Sequence, residues 1–195
     1  MMGYVGPLGN SMLRTIDFLL SLFGLIILFP ILLAIYLAGL FDTGSPIFCQ
    51  ERVGRDRKSF ILVKFRTMRQ NTASVASHLA DASSITRLGV FLRRTKLDEL
   101  PQLWNVLIGE MSLVGPRPCL LNQTELINER ALRGIFKVRP GITGLAQVNN
   151  IDMSTPIMLA EIDASMIKKL TISTYFKFIF MTIRGKGSGD VIRLK

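Results

Sequence analysis

Asp98 and Glu99 stand side by side in a stretch crowded with cations: Arg93, Arg94 and Lys96 precede them, and Arg117 follows. A carboxylate can attack phosphorus and form an acyl phosphate, which splits one hard transfer into two steps. Asp98 is the candidate nucleophile. Glu99, with Asp98 beside it, could hold Mg²⁺, a hard cation that prefers oxygen and usually keeps several waters. The metal and the nearby cations would offset the repulsion between a carboxylate and an anionic diphosphate. Arginine meets phosphate oxygens bidentately. The string Leu97-Asp98-Glu99-Leu100-Pro101 has a plainer reading too, because acidic residues stabilise any helix start. Taken alone, it is a helix start more often than an active site. No Gly-x-x-x-x-Gly-Lys-Ser/Thr loop occurs, and Gly185-Lys186-Gly187-Ser188-Gly189 has the wrong spacing and reads as tail.

Several elements must position these groups. Leu97, Leu100, Trp104 and Leu107 recur at helical spacing, as do Leu88, Phe91 and Leu92. Thr95 with Asp98 three positions later resembles a capping box, and Pro101 suits only a first turn. The expectation is a helix that begins at the acidic pair and packs its apolar side. Upstream, Ile47 to Arg52 and Phe60 to Arg66 read as strands joined by the polar turn Gly54 to Lys58, a hairpin. Alternation puts Lys64 and Arg66 on one strand face, which would be either solvated or functional. Asn71 to Ser84, with the lone His78, reads as a polar loop or weak helix. Asn122 to Lys137 reads as an amphipathic helix between two Gly/Pro-rich stretches. Met166 to Arg184 mixes lysines with Tyr175, Phe176, Phe178 and Phe180, as an interfacial helix would, although a core element fits nearly as well. The residues after Arg184 read as a flexible tail.

Phe18 to Leu40 carry no charge and include long runs of Leu, Ile and Phe. A bilayer's hydrocarbon core requires about 20 such residues in a helix. The run is longer than a signal-peptide core, and no small-x-small site follows it. Pro30 lies near its centre. Proline kinks a helix but is tolerated in membrane spans. Arg52, Arg55, Arg57 and Lys58 place the C-terminal flank on the cytoplasmic side. Physical chemistry alone slightly favours a spanning helix over a re-entrant one.

The 195 residues are 49% hydrophobic yet carry a formal net charge of +10. That combination fits a membrane-attached domain whose basic face meets anionic headgroups. Nucleic acid is the rival acidic partner. It is set aside because the basic residues are scattered and no recognition module is visible. Cys49 and Cys119 match no zinc spacing and read as free thiols.

Five strings change the weight of the acidic pair. They are Gln50-Glu51-Arg52-Val53-Gly54, Lys64-Phe65-Arg66-Thr67-Met68, Leu97 through Asn105, Met111 through Pro118 and Arg139 through Val148, in that order. Together they closely resemble the bacterial sugar transferase family, the monotopic phosphoglycosyl transferases. The likeness runs from about Arg14 to about Arg184, and it is that of a near-minimal catalytic unit. It implies transfer of a sugar 1-phosphate from a UDP-sugar to polyprenol phosphate, with release of UMP, at the first membrane step of surface glycan assembly. It implies Asp98 as nucleophile, Glu99 and Asp98 as Mg²⁺ ligands, and Arg93 and Arg117 at phosphate. It further implies that Lys64, Arg66, Arg139, Thr143 and Gln147 bind substrate and that Asp163 supplies an expected acidic residue.

The implied fold is α/β in a loose sense, mostly helical with a small hairpin or sheet. Residues 1–41 would form a re-entrant membrane helix broken at Pro30, and 42–195 a cytoplasmic catalytic domain with interfacial helices. The implied setting is the bacterial inner membrane, with membrane lipids as partners, no nucleic acid, and homo-oligomerisation left open. Many family members have Ser before that proline, where this chain has Phe29. Two rivals stay open at this stage: a phosphohydrolase using the same pair with water as acceptor, and a basic membrane scaffold without catalysis.

Overall fold

The computed structural model describes residues 7–70, 72 and 82–187; His78 and most of the Ala/Ser-rich stretch lie outside them. The apolar run forms α1 (Pro7–Thr43), a helix of 37 residues that continues through Pro30 in place of the expected break there and is ~55 Å long. Proline forfeits one backbone hydrogen bond there. Residues 11–43 are long and apolar enough to cross a membrane.

One stripe of α1 is covered by the rest of the chain. Leu13, Asp17, Ser21, Ile35 and Gly39 are buried, in four-residue steps on either side of a gap of about four turns, which keeps them on one helix face. Asp17 Oδ1 accepts from Ser112 Oγ at 3.1 Å, from Leu113 N at 2.9 Å and from Tyr175 Oη. Ile35 and Leu32 pack with Phe65 and Leu92. A Cβ added at Gly39 would lie 2.7 Å from Pro46 Cβ, so glycine permits that closeness. The remaining faces are apolar and bare, with Ile27 72% exposed.

The expected hairpin is present. β1 (Ile47–Val53) pairs antiparallel with β2 (Ser59–Phe65), Ile47 opposite Phe65. Its turn carries Asp56 and Arg57 at positive φ. The next helices are α2 (Arg87–Thr95) and α3 (Gln102–Ile108). A second, parallel pair joins β3 (Ser112–Val114) to β4 (Gly141–Thr143). It has no clear sequence signal, since both strands are three residues cut from Gly/Pro-rich stretches. A Cβ at Gly141 would sit 2.0 Å from Gly115 N, so this crossing needs its glycines.

Two expected single helices are broken. Residues 122–137 form α4 (Thr124–Leu132) and a separate 3₁₀ turn, Ile135–Lys137, because Gly134 takes φ +67° between them. α5 (Leu145–Val148) follows β4. Residues 166–184 are divided between α6 (Pro156–Lys169) and α7 (Ile172–Ile183). Thr171 and Thr174 form the capping box that starts α7. In α7 Tyr175 and Phe178 are buried, as the core reading expects, while Ile172, Phe176, Phe180 and Ile183 form an exposed apolar stripe. Cys49 is exposed, Cys119 is buried, and neither is in a disulfide.

Candidate active site

Thr86 starts α2 by accepting from Gly89 N at 2.9 Å. Lys96 ends it in the left-handed region, at φ 59°, with its N–H directed at Leu92 O and Arg93 O. The chain then turns once, as a 3₁₀ segment Leu97–Glu99, before Pro101 leads into α3. Asp98 and Glu99 are therefore on a tight turn between two helices, not in the first turn of one. Thr95 does not cap them. It is the last residue of α2, and its Oγ1 donates back to Phe91 O at 2.8 Å. The left-handed Lys96 separates it from the pair.

Asp98 is 3% exposed and Glu99 8%. Buried carboxylates are costly unless paired. Arg117 Nη2 donates to Glu99 Oε1 at 2.9 Å. Burial holds the Lys96 ammonium below its ordinary pKa, with Glu99 pulling it up and Arg117 pushing it down. The 97–99 turn packs on α2 and β2, the elements that carry Arg93 and Lys64.

Arg117 is braced from behind. Arg130 Nη1 donates to Arg117 O at 2.7 Å, and Arg52 Nη1 donates to Pro118 O at 3.1 Å. Arg130 is paired with Asp163 at 2.6 Å, the two side chains being 2% and 1% exposed. Burial pushes the Asp163 carboxyl up, and Arg130 pulls it down. Asp163 thus meets a cation of α4. The structural parts of Arg130 and Arg52 have no local signal, because each depends on a residue distant in sequence.

The other expected residues divide. Lys64 and Arg66 do share a face, both over the Phe48 ring, at 5.6 and 5.3 Å from its centre. The solvated reading fails for Lys64, which is buried. Arg66 Nε donates to Ser45 O at 2.8 Å and ties β2 to the exit of α1. Arg93 Nε donates to Thr67 Oγ1 at 2.8 Å. That contact needs α2 close to Thr67, where a Cβ at Gly89 would lie 2.0 Å from Thr67 O. Gln147 Nε2 donates to Gly115 O at 3.4 Å. Thr143 is buried and pairs with Thr182. Arg139 donates to Gly109 O at 2.8 Å and lines a cavity whose walls do not include the acidic pair. The start of the expected tail is packed: Lys96 Nζ donates to Lys186 O at 2.5 Å, and Gly187 lies against Gln147 O.

Among the described residues no group of three or more His, Cys, Asp or Glu could hold a metal ion. Two adjacent carboxylates still fit Mg²⁺, which typically takes one or two carboxylates and completes its shell with substrate phosphate and water. The donor set is hard oxygen throughout.

The family model described as bacterial sugar transferase matches residues 9–187. Among curated relatives, the UDP-glucose:undecaprenyl-phosphate glucose-1-phosphate transferase of Klebsiella pneumoniae is 40% identical over 182 residues, 87% of this chain and 39% of that protein. An uncharacterized sugar transferase of Haemophilus influenzae is 37% identical over 190 residues, 87% of this chain and 40% of that protein. The exopolysaccharide production protein ExoY of Sinorhizobium fredii is 32% identical over 202 residues, 93% of this chain and 88% of that protein. The chain spans about two fifths of the length of the first curated relatives it matches.

Proposed function

The chain belongs to the bacterial sugar transferase family, and from that premise we propose that it moves a sugar 1-phosphate from a UDP-sugar to polyprenol phosphate. An Asp98 carboxylate oxygen attacks the sugar-linked phosphorus, the bond to the UMP oxygen breaks, and UMP leaves. Asp98 then carries the phospho-sugar. An oxygen of polyprenol phosphate attacks the same phosphorus, the bond to Asp98 breaks, and a polyprenol diphosphate sugar departs. The observation that carries this reading is the buried acidic pair, with Glu99 held by Arg117 and Lys96 alongside. Lys64, Arg93 and Arg117 bind phosphate oxygens. Glu99 and Asp98 would hold Mg²⁺, which supplies charge neutralisation for the diphosphate.

The setting is the cytoplasmic face of the bacterial inner membrane, with α1 as a re-entrant anchor and the α7 stripe in the interface. Its support is the buried face of α1, where residues near both ends pack on one domain. The product would begin a surface glycan.

A panel of UDP-sugars, each incubated with the protein, Mg²⁺ and short-chain polyprenol phosphate, tests the reading through UMP release. We expect sustained release from particular donors, dependent on the lipid. No release from any donor would leave the scaffold reading. Free sugar phosphate accumulating without lipid would make the protein a phosphohydrolase.

A further inference from the structure

A second cluster of cations lines a cavity whose walls do not include the acidic pair. Arg14 of α1, Arg55 of the hairpin turn, and Lys137 and Arg139 before β4 line this cavity of about 110 Å³. We propose that this cavity binds the phosphate headgroup of an anionic bilayer lipid, as a site separate from the acidic pair.

Its size comes first. Sites for drug-sized ligands run to roughly 300–1,000 Å³, so this cavity is too small for a nucleotide sugar and suits a small headgroup. Charge comes second. The one carboxylate in the lining is Asp17, and its Oδ1 already accepts from Ser112, Leu113 and Tyr175. Asp56, beside the cavity, pairs with Arg55 at 3.5 Å. Four cations therefore face about one committed and one exposed carboxylate. Burial lowers the Arg139 pKa, and Arg55 and Arg14 lower it further, while Asp17 opposes them. A bound anion would relieve that repulsion.

Pre-organisation comes third. Arg14 donates to Val106 O at 2.5 Å and to Leu107 O at 2.7 Å. Arg139 donates to Gly109 O at 2.8 Å. Both guanidinium groups are thus pinned to the carbonyl end of α3, where cations are favoured, and both are already ordered before any ligand arrives. Position comes last. Arg14 precedes the uncharged run at Phe18 by about one helical turn. Leu13, Met166 and Leu170 add apolar wall to the same cavity. A phosphate with acyl chains attached meets both kinds of lining, whereas free phosphate uses only the cations. Anionic leaflets attract such basic groups.

The inference rests on the proposed membrane placement of α1 but not on the transfer chemistry. Its test reads binding alone, so a failure here and a failure of UMP release remain distinct. Short-chain phosphatidylglycerol is titrated into the detergent-solubilised full chain and followed by ³¹P NMR. Parallel titrations use phosphatidylcholine of the same chain length and inorganic phosphate. The variant pair Arg55→Gln with Lys137→Gln removes the two exposed cations and spares those that hold α3. Arg69→Gln with Arg87→Gln removes two exposed cations elsewhere.

We expect saturable phosphatidylglycerol binding, weakened about tenfold or more by the first pair and little changed by the second. Phosphatidylcholine and inorganic phosphate should both bind more weakly. Equal losses in both pairs, no saturation, or inorganic phosphate binding as tightly as the lipid would overturn the site.

Discussion

Asp98 and Glu99 bring two carboxylates into a nearly dry turn, where Arg117 pairs with Glu99 and Lys96 lies close. Arg117 holds its proton at any accessible pH, but Lys96 does not. Burial has moved its pKa below the ordinary 10.5. The ammonium is therefore lost earlier than usual as pH rises. If it neutralises the diphosphate beside Glu99, activity must fall on the alkaline side at a pH below 10.5. Lys96→Arg keeps its charge throughout that range and should carry the alkaline limb to higher pH. A pH–rate profile checks this, and an unmoved limb would remove Lys96 from the phosphate site.

The acidic pair stood out among Arg93, Arg94 and Lys96, but the five ordered strings gave it its weight, and the cation that pairs with Glu99, Arg117, lies 18 residues on. Arg130 was not legible, since its partners Asp163 and Arg117 O come from elsewhere in the fold. Thr95 was misread because the spacing of a capping box says nothing of a left-handed residue inserted within it.

The segment 115–118 is fixed by other elements, not by its own structure. α4 supplies Arg130, α6 supplies Asp163 and β1 supplies Arg52, and the carbonyls of Arg117 and Pro118 receive their bonds. Breaking a buried pair from one side typically costs about 3–5 kcal/mol, while replacing both partners by apolar groups can be nearly neutral. Arg130→Met should thus lower thermal stability sharply, and Arg130→Met with Asp163→Leu should recover much of it. The carbonyl of Arg117 stays unheld in both. The double variant should keep a raised KM for the UDP-sugar. Recovery of stability and KM together would make the pair merely structural.

At this scale the hairpin was readable from its β-branched and aromatic strands. The β3–β4 pair was not, because three-residue strands carry no periodicity. The boundary between α6 and α7 hung on Thr171 and Thr174, two ordinary polar residues whose reciprocal bonds appear only once the chain is folded.

Across the described residues, α1 and the α7 stripe expose runs of large apolar side chains, and Val90, Phe91, Trp104 and Leu132 are exposed elsewhere. An uncharged helix of membrane length, basic only on its C-terminal flank, slightly favoured a simple span. Hydropathy reports length and composition, but it is blind to which residues are covered by protein. The spacing from Leu13 through Asp17 and Ser21 to Ile35 and Gly39 carries that information. It could have been noticed from the polar Asp17 and Ser21 on one face of an apolar helix. Because residues near the two ends of α1 pack on one domain, we propose that both ends lie on that domain's side of the bilayer. Ser11 and Asp42 are exposed near those ends. In a Cys49→Ser background, cysteines placed there should both react with an impermeant maleimide in inside-out vesicles and neither in spheroplasts. Labelling from opposite faces would restore the spanning helix.

The central claim is that Asp98 becomes joined to phosphorus. The most direct measurement is the intact mass of the protein after incubation with a competent UDP-sugar and Mg²⁺ in the absence of lipid, followed by peptide mapping. A mass gain of one sugar phosphate is expected on the peptide that holds Asp98, with its loss on adding polyprenol phosphate and none in Asp98→Asn. An Asp98→Asn protein that still releases UMP at the wild-type rate would contradict the central claim.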